Sequence, residues 1–286
     1  MFKFGFTVDN AKEENDKIES TGTVLDWFPA VKIEVSQEQL SKKFYEDDDF
    51  KECDLFYDIR LKLIHSDKVV IDLQHENCQN IVEAESQHSD LIPAKYEGGL
   101  KVWECSYDLG KYLIGDKIPL ENKSVLDLGC GTGIIGILAL LNGANVHFQD
   151  YNTEVIKSVT IPNVILNCND RKDVQERCAF FSGDWASFIE LHRELYRNDS
   201  EKYDLILTSE TIYNPDNQNK LYNIFKTQLK KNGSAYVAGK VYYFGVGGGM
   251  RQFEDLVKKE KIFETKTVWR SEEGVQREIL KVTFTT

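Results

Sequence analysis

Basic residues are in deficit. The 286-residue chain has 35 Lys and Arg against 47 Asp and Glu, a net charge of −12 and a pI near 5.0. A protein whose main partner is nucleic acid presents a basic face to the phosphates, so direct nucleic-acid binding is not expected. Long hydrophobic runs are also missing. The longest strongly apolar stretch, residues 133–141, is far shorter than the roughly 20 residues of a membrane span. The opening MFKFGFTVDN carries no apolar core behind Lys3, so neither a membrane segment nor a signal peptide is expected. Cysteine shows no pairing pattern: positions 53, 78, 105, 130, 168 and 178 form no C-x-x-C, and the five histidines do not cluster near them. That spacing excludes a recognisable zinc site or disulfide framework and predicts free thiols in a reducing compartment, with no metal.

What is present divides unevenly. Residues 1–95 carry a balance of −10 and residues 96–286 only −2, which predicts an acidic N-terminal extension (1–95) packing on a core domain (96–286). In the extension, alternation over residues 31–35 predicts a short strand. Residues 54–64 and 69–73 predict a hairpin turning at Ser66-Asp67. Residues 10–20 read as a mobile segment. The acidic run Glu46-Asp47-Asp48-Asp49 reads as a solvated loop or as a contact for a basic protein.

From about residue 96 apolar strands alternate with amphipathic helices. Strands are predicted at 125–128, 146–149, 179–181, 203–208 and 234–238, and helices at 133–142, from 153, at 217–230 and at 252–259, with Pro162 interrupting the second. Residues 263–269 and 277–284 follow as two strands with no helix between them. The expected fold is α/β: a doubly wound, Rossmann-like sheet, mostly parallel, closed by an antiparallel C-terminal hairpin strand.

The chemistry centres on Asp127-Leu128-Gly129-Cys130-Gly131-Thr132-Gly133, which follows the first core strand and opens a helix. Glycines there let the backbone approach a ligand closely. Asp150 ends the next strand, where a carboxylate can accept hydrogen bonds from ribose hydroxyls. Residues 131–136 also fit G-x-G-x-x-G, the dinucleotide pattern. Three features favour S-adenosylmethionine: Asp127 before the loop, suited to an ammonium and repelling a pyrophosphate; Gly183-Asp184-Trp185, suited to adenine; and the closing hairpin.

These residues resemble a seven-strand S-adenosylmethionine-dependent methyltransferase. Residues 88–109 (HSDLIPAKYEGGLKVWECSYDL), 148–152 (FQDYN), 207–215 (LTSETIYNP) and 243–249 (YFGVGGG) are similar to the eukaryotic histidine protein methyltransferases, as is Phe2-x-Phe4-x-Phe6. The likeness runs from about 88 to 286. It implies Trp103, Glu104, Asp127, Gly129, Gly131, Asp150, Tyr151, Asp184, Trp185, Thr208 and Glu210 as cofactor-binding residues. It also implies Thr211, Phe244, Gly247 and Gly248 toward the protein substrate, with Glu210 and Tyr213 as candidate acceptors at the reacting nitrogen. Family members methylate a histidine of a large-subunit ribosomal protein. The resemblance thus implies a monomeric enzyme of cytoplasm and nucleus acting on a basic protein, without direct nucleic-acid or membrane contact.

Histidine and lysine remain alternatives. Free Lys has a pKa near 10.4, so neutralising it at pH 7 costs about 4.6 kcal/mol, whereas imidazole near 6.5 is already mostly neutral. A histidine enzyme needs one ring nitrogen aimed at the methyl and an acceptor on the other, and little general base. A nicotinamide-dependent oxidoreductase and a non-catalytic module that keeps the crevice are more distant alternatives.

Overall fold

The computed structural model describes residues 27–41, 50–57, 59–75, 78–86, 89, 91–92, 94–168 and 170–285. Residues 10–20, the phenylalanines at 2–6 and the acidic run at 46–49 lie outside them.

The chain runs β1 (Val31–Ile33), α1 (Gln37–Ser41), β2 (Phe50–Phe56), β3 (Ile59–Ile64), α2 (Ser66–His75), α3 (Gln79–Ser86), α4 (Glu104–Gly115), β4 (Ser124–Leu128), α5 (Ile134–Leu141), β5 (Asn145–Asp150) and α6 (Thr153–Val155). It continues α7 (Ile161–Asn167), α8 (Arg171–Arg177), β6 (Cys178–Ser182), α9 (Trp185–Leu195), β7 (Tyr203–Ser209), α10 (Pro215–Gln228), β8 (Leu229–Lys240), α11 (Met250–Lys259), β9 (Phe263–Arg270) and β10 (Arg277–Phe284).

The main sheet has the order β1-β6-β5-β4-β7-β8-β10-β9. Strands β6, β5, β4, β7 and β8 are parallel, and β10 pairs antiparallel with both β8 and β9. These seven strands form the expected sheet, and β1 adds an eighth at its edge. The central strands SVLDL and YDLILTS are almost wholly buried, as helices on both faces of a parallel sheet require. The chain leaves β4 toward β5 and β6, then returns to β7 on the other side, so the carboxyl ends of β4 and β7 form the switch point where such sheets bind ligands.

The N-terminal region departs from the sequence expectation in two ways. Strand β1 joins the main sheet, antiparallel to β6, with Val31 opposite Ser182. The hairpin lies earlier than predicted: the chain turns after Phe56, at Tyr57 with φ +53, and β3 returns beside β2. Residues 66–75 are helical because Val69 and Leu73, four apart, bury one helix face. The hairpin packs on the core through Phe56, whose ring fills the space at Gly110 in α4; a Cβ there would lie 2.1 Å from Phe56 Cε1. Asn163 and Asn167 on α7 accept from the N–H groups of Ile64 (2.8 Å) and Lys62 (2.9 Å), satisfying the open edge of β3.

The helix after β5 is interrupted as expected, by a π-helical turn at Ile156–Thr160 just before Pro162. The wide turn places Thr160 beneath the glycine loop, where its Oγ1 donates to Gly131 O at 2.7 Å.

At the opposite end of the sheet His192 is buried and His147 half-buried among Phe181, Phe188, Tyr196 and Tyr203. His147 Nδ1 and Tyr203 Oη are hydrogen-bonded at 2.8 Å, and among the described residues His192 Nε2 has no hydrogen-bond partner. Burial, with His192 and Lys32 nearby, lowers His147 to about 3; burial lowers His192 to about 4 against the opposing pull of Glu201. These values lie below the unfolded value, so the unfolded chain binds more protons as pH falls through about 6.5 toward the folded value, and these histidines then oppose folding. The stability of His192→Leu relative to wild type is expected to rise by about 2 kcal/mol between pH 7 and pH 5. Urea unfolding of both proteins at the two pH values checks this; parallel responses would contradict it.

Candidate active site

The carboxyl ends of all five parallel strands open into one cleft of about 1140 Å³, measured out to its mouth. Its walls are Gly129–Thr132 after β4, Asp150 and Tyr151 at the end of β5, and Gly183, Asp184 and Trp185 after β6. Ser209–Thr211 and Tyr213 continue from β7, and Lys240 and Tyr243 from β8. Residues 97–99 with Lys101, Trp103 and Ser106 close it from the segment leading into α4.

Gly129, Gly131 and Gly133 have φ of +65°, +50° and +79°, a region L side chains rarely adopt. A Cβ on Gly131 would stand 3.2 Å from Gly99 O. The Gly131 N–H donates to Asp150 Oδ2 at 2.8 Å, so loop and carboxylate hold each other. Burial pushes Asp150 up to about 6, opposed by hydrogen bonds from the Gly131, Asn152 and Tyr151 amides. Asp150→Ala is expected to weaken S-adenosylhomocysteine binding by about 1.5–3 kcal/mol, the range for a hydrogen bond to a charged group. Calorimetric titration tests it; an effect on turnover with binding untouched would contradict a ribose role.

Asp127 does not reach the cleft, contrary to the ammonium-binding expectation. Its side chain turns under the loop toward α5, where Oδ2 accepts from the Gly136 N–H at 2.7 Å. Burial, with Asp150 nearby, raises it to about 8 against the opposing Gly136 hydrogen bond, so the environment favours its neutral form. Thr208 is likewise internal: its hydroxyl donates to Leu128 O at 2.8 Å and pairs with Thr211 Oγ1 at 2.7 Å. Thr208 positions Thr211, which does line the cleft.

At one end of the cleft stand Tyr151, Asp184 and Trp185. The Trp185 indole donates to Gln149 Oε1 at 2.9 Å. Asp184 caps α9 by accepting from Ala186 N and pairs with Lys220.

At the other end lies Glu210, only 8% exposed and held at φ +57. A non-glycine residue there stores about 1–3 kcal/mol of strain and is worth a functional explanation. Tyr243 Oη donates to Glu210 Oε2 at 2.5 Å. Lys240 Nζ stands 3.7 Å from Glu210 Oε1 and 3.4 Å from Glu104 Oε2, and lies over the Trp103 and Tyr243 rings. Burial works to lower the Lys240 pKa, but Glu210 and Glu104 outweigh it and the pKa is raised. Glu104 therefore touches the cleft's cation and is not part of the wall, whereas Trp103 is, its indole donating to Gly98 O at 3.1 Å.

The glycine-rich loop is a tied turn. Tyr243 N donates to Gly248 O, and Gly248 N to Tyr213 O, both at 2.9 Å. A Cβ on Gly248 would lie 2.2 Å from Tyr213 O, so Gly248 serves the close approach of this loop to residues 212–213. Phe244 is 75% exposed, edge-on to Tyr242, and with Gly247 sits outside the cleft wall.

The cleft also contains Trp27, Glu97, Ser106, Ser209 and Lys240, which carry no site signal in the sequence, and Tyr243, whose place before the glycine-rich run suits it to an aromatic wall. Ser106 and Ser209 hydroxyls bond at 2.7 Å, tying α4 to β7. Glu97 is pushed up to about 7 by burial, opposed by the Ala94 N–H, with Asp150 raising it further and Lys220 lowering it. Among the described residues, no group of three or more His, Cys, Asp or Glu could hold a metal ion. The residues present do fit S-adenosylmethionine: a loop with no Cβ at Gly129, Gly131 and Gly133, a carboxylate behind it, aromatic walls at one end and a charge-paired pocket at the other.

Strand order and cleft together define a Rossmann-like, seven-strand methyltransferase fold. A solved structure assigned as a methyltransferase complexed with SAH aligns at a TM-score of 0.52 and 12% identity, covering 83% of this chain and 57% of that one. Residues 93–243 match the family described as Lysine methyltransferase. The chain is 46% identical over 230 residues to the Histidine protein methyltransferase 1 homolog of Bos taurus, covering 72% of this chain and 61% of that protein. Against the homolog of the same name from Dictyostelium discoideum it is 48% identical over 197 residues, covering 68% and 60%. The chain belongs to the histidine protein methyltransferase family, and it spans about three fifths of the length of these curated relatives.

Proposed function

We propose that this protein is a protein-histidine N-methyltransferase that uses S-adenosylmethionine. The observation that carries this reading is the charge state of the reacting end. Glu210 is already matched by the Tyr243 hydroxyl and by Lys240, which is itself shared with Glu104. A lysine substrate would bring a second ammonium beside Lys240 and would need a base to neutralise it. An imidazole arrives neutral and needs only orientation.

The cofactor supplies an electrophilic methyl on a sulfonium. Gly129 and Gly131 would let the backbone close on it, and Asp150 would accept hydrogen bonds at its sugar. Trp103 and Tyr243 exclude water from the reacting end. A bound cofactor would give that methyl to one imidazole nitrogen and be left as the thioether, so the site's task is to hold the ring with that nitrogen facing it. The other nitrogen carries its proton toward Glu210 or Tyr213, and that proton leaves to solvent when the methylated ring returns to neutrality. Glu210 thus orients the ring and stabilises the transient imidazolium.

The substrate we assign is a basic protein, a large-subunit ribosomal protein, met in cytoplasm or nucleus by a monomer without nucleic-acid or membrane contact. The −10 balance of residues 1–95 supports encounter with a basic partner. Protein-lysine methylation is the second reading, favoured by the description of the family matched at residues 93–243. Incubation with labelled methyl donor and extracted ribosomal proteins, followed by mass spectrometry of the labelled peptide, tests the proposal. A methyl-lysine in place of methyl-histidine would overturn it.

A further inference from the structure

We propose that Trp27 is a cofactor-contacting residue, and that residues 27–33, which precede the methyltransferase core in the chain, close the cofactor end of the cleft as a fixed strap. This rests on the reading of the cleft as an S-adenosylmethionine site.

The strap is tied along its length to the strand ends that build the site. Phe28 N donates to Tyr151 Oη at 3.1 Å, and the Phe28 ring stacks on Tyr151 with centroids 5.3 Å apart. Asp184 N donates to Phe28 O at 2.9 Å. Ala30 N donates to Ser187 Oγ at 2.8 Å, after which β1 pairs with β6. Tyr151 Oη in turn donates to Ala94 O at 2.8 Å, so the strap and the segment leading into the core meet on one hydroxyl.

The core is shaped to receive this crossing. Gly183 has φ +107, and a Cβ on it would stand 2.4 Å from Pro29 O and 2.5 Å from Ala30 Cα. A side chain at 183 would expel the strap, so the glycine between β6 and Asp184 serves the strap's crossing as well as its own left-handed backbone.

Trp27 lines the cleft together with Tyr151, Asp184 and Trp185. Its indole meets Tyr151 edge-on, with centroids 5.7 Å apart and planes at 81°. Lys220 Nζ lies 3.7 Å from the indole centroid while pairing with Asp184. The ammonium is held between an aromatic face and a carboxylate, which neutralises Asp184. What remains at this end is a wall of three aromatic side chains around a compensated charge, suited to a flat, uncharged purine base.

The test uses the full chain. Trp27→Ala is expected to raise the Kd for S-adenosylhomocysteine about tenfold or more by calorimetry, with unfolding still cooperative, and Trp27→Phe to stay within about threefold of wild type. In wild type, hydrogen exchange of the amides at 27–33 is expected to slow on adding S-adenosylhomocysteine; should Trp27→Ala fail to fold, this measurement decides. Wild-type affinity in Trp27→Ala, or unchanged exchange at 27–33 in ligand-bound wild type, would overturn the strap alone. Failure of the wild type to bind S-adenosylhomocysteine would overturn the cofactor reading and the strap with it.

Discussion

Glu210→Gln is expected to lower kcat on the protein substrate by about 100-fold or more while leaving S-adenosylhomocysteine affinity within about threefold. The substitution keeps the size of the side chain and removes its charge. In the native site Glu210 receives the Tyr243 hydroxyl and faces Lys240; under the proposed function it would be the negative group that stabilises a developing imidazolium. With glutamine there, Lys240 is balanced by Glu104 alone, and an imidazole that gains charge on methylation meets an uncompensated cation. Ground-state binding of the cofactor loses much less, because the glycine loop and Asp150 lie on other strands. The strain at φ +57 belongs to the same account: the fold tolerates it because the Glu210 N–H is fixed to Ala238 O at 2.9 Å. Single-turnover kinetics with the intact substrate, beside a binding isotherm, separate the two effects. A variant that turns over at half the wild-type rate or better would remove Glu210 from the mechanism.

The core strands were legible because their signal is local: apolar runs such as 125–128 and 203–208 are buried on both faces, and each is followed by a turn or loop rich in glycine or polar residues. Helices α4 and α9 were not. The first starts at Trp103 with no side-chain cap and contains Gly110, a poor helix former kept because Phe56 needs its space. The second opens with a readable cap, Asp184 ahead of Trp185, in two residues that also line the cleft, so a site signal and a helix signal coincide there. The hairpin was misplaced because Val69 and Leu73 fit a four-residue period as well as a strand. In the site, the glycines and Asp150 follow strand ends and could be found by counting. Lys240 and Tyr243 join Glu210 only because β7 and β8 are adjacent, and Trp27 arrives from about 120 residues away along the chain. Asp127 shows the converse limit: its position before the loop was correct, but the direction of its side chain depends on α5 packing above it.

Gly131→Arg is expected to abolish measurable S-adenosylhomocysteine binding, a loss of more than about 100-fold, while the protein stays folded with a modestly lower Tm. Gly131 sits at φ +50 in the glycine loop that lines the cleft. A side chain there pays the left-handed backbone penalty of about 1–2 kcal/mol, and its Cβ begins 3.2 Å from Gly99 O, between the glycine loop and the segment that roofs it. The rest of an arginine has one open direction, into the cleft, where it occupies the volume the cofactor would fill. The fold survives because Gly131 is at the rim: the loop remains anchored by Cys130 N to Gln149 O at 2.9 Å, and β4 and α5 are buried on either side of it. Circular dichroism and thermal unfolding establish that the variant is folded, and calorimetry then reads the affinity. Gly131→Ala should fall between the two, since it adds the backbone strain without filling the cleft. A folded Gly131→Arg protein that binds S-adenosylhomocysteine as tightly as wild type would show that the cofactor does not lie against this loop, and with that the assignment of the whole cleft would fall.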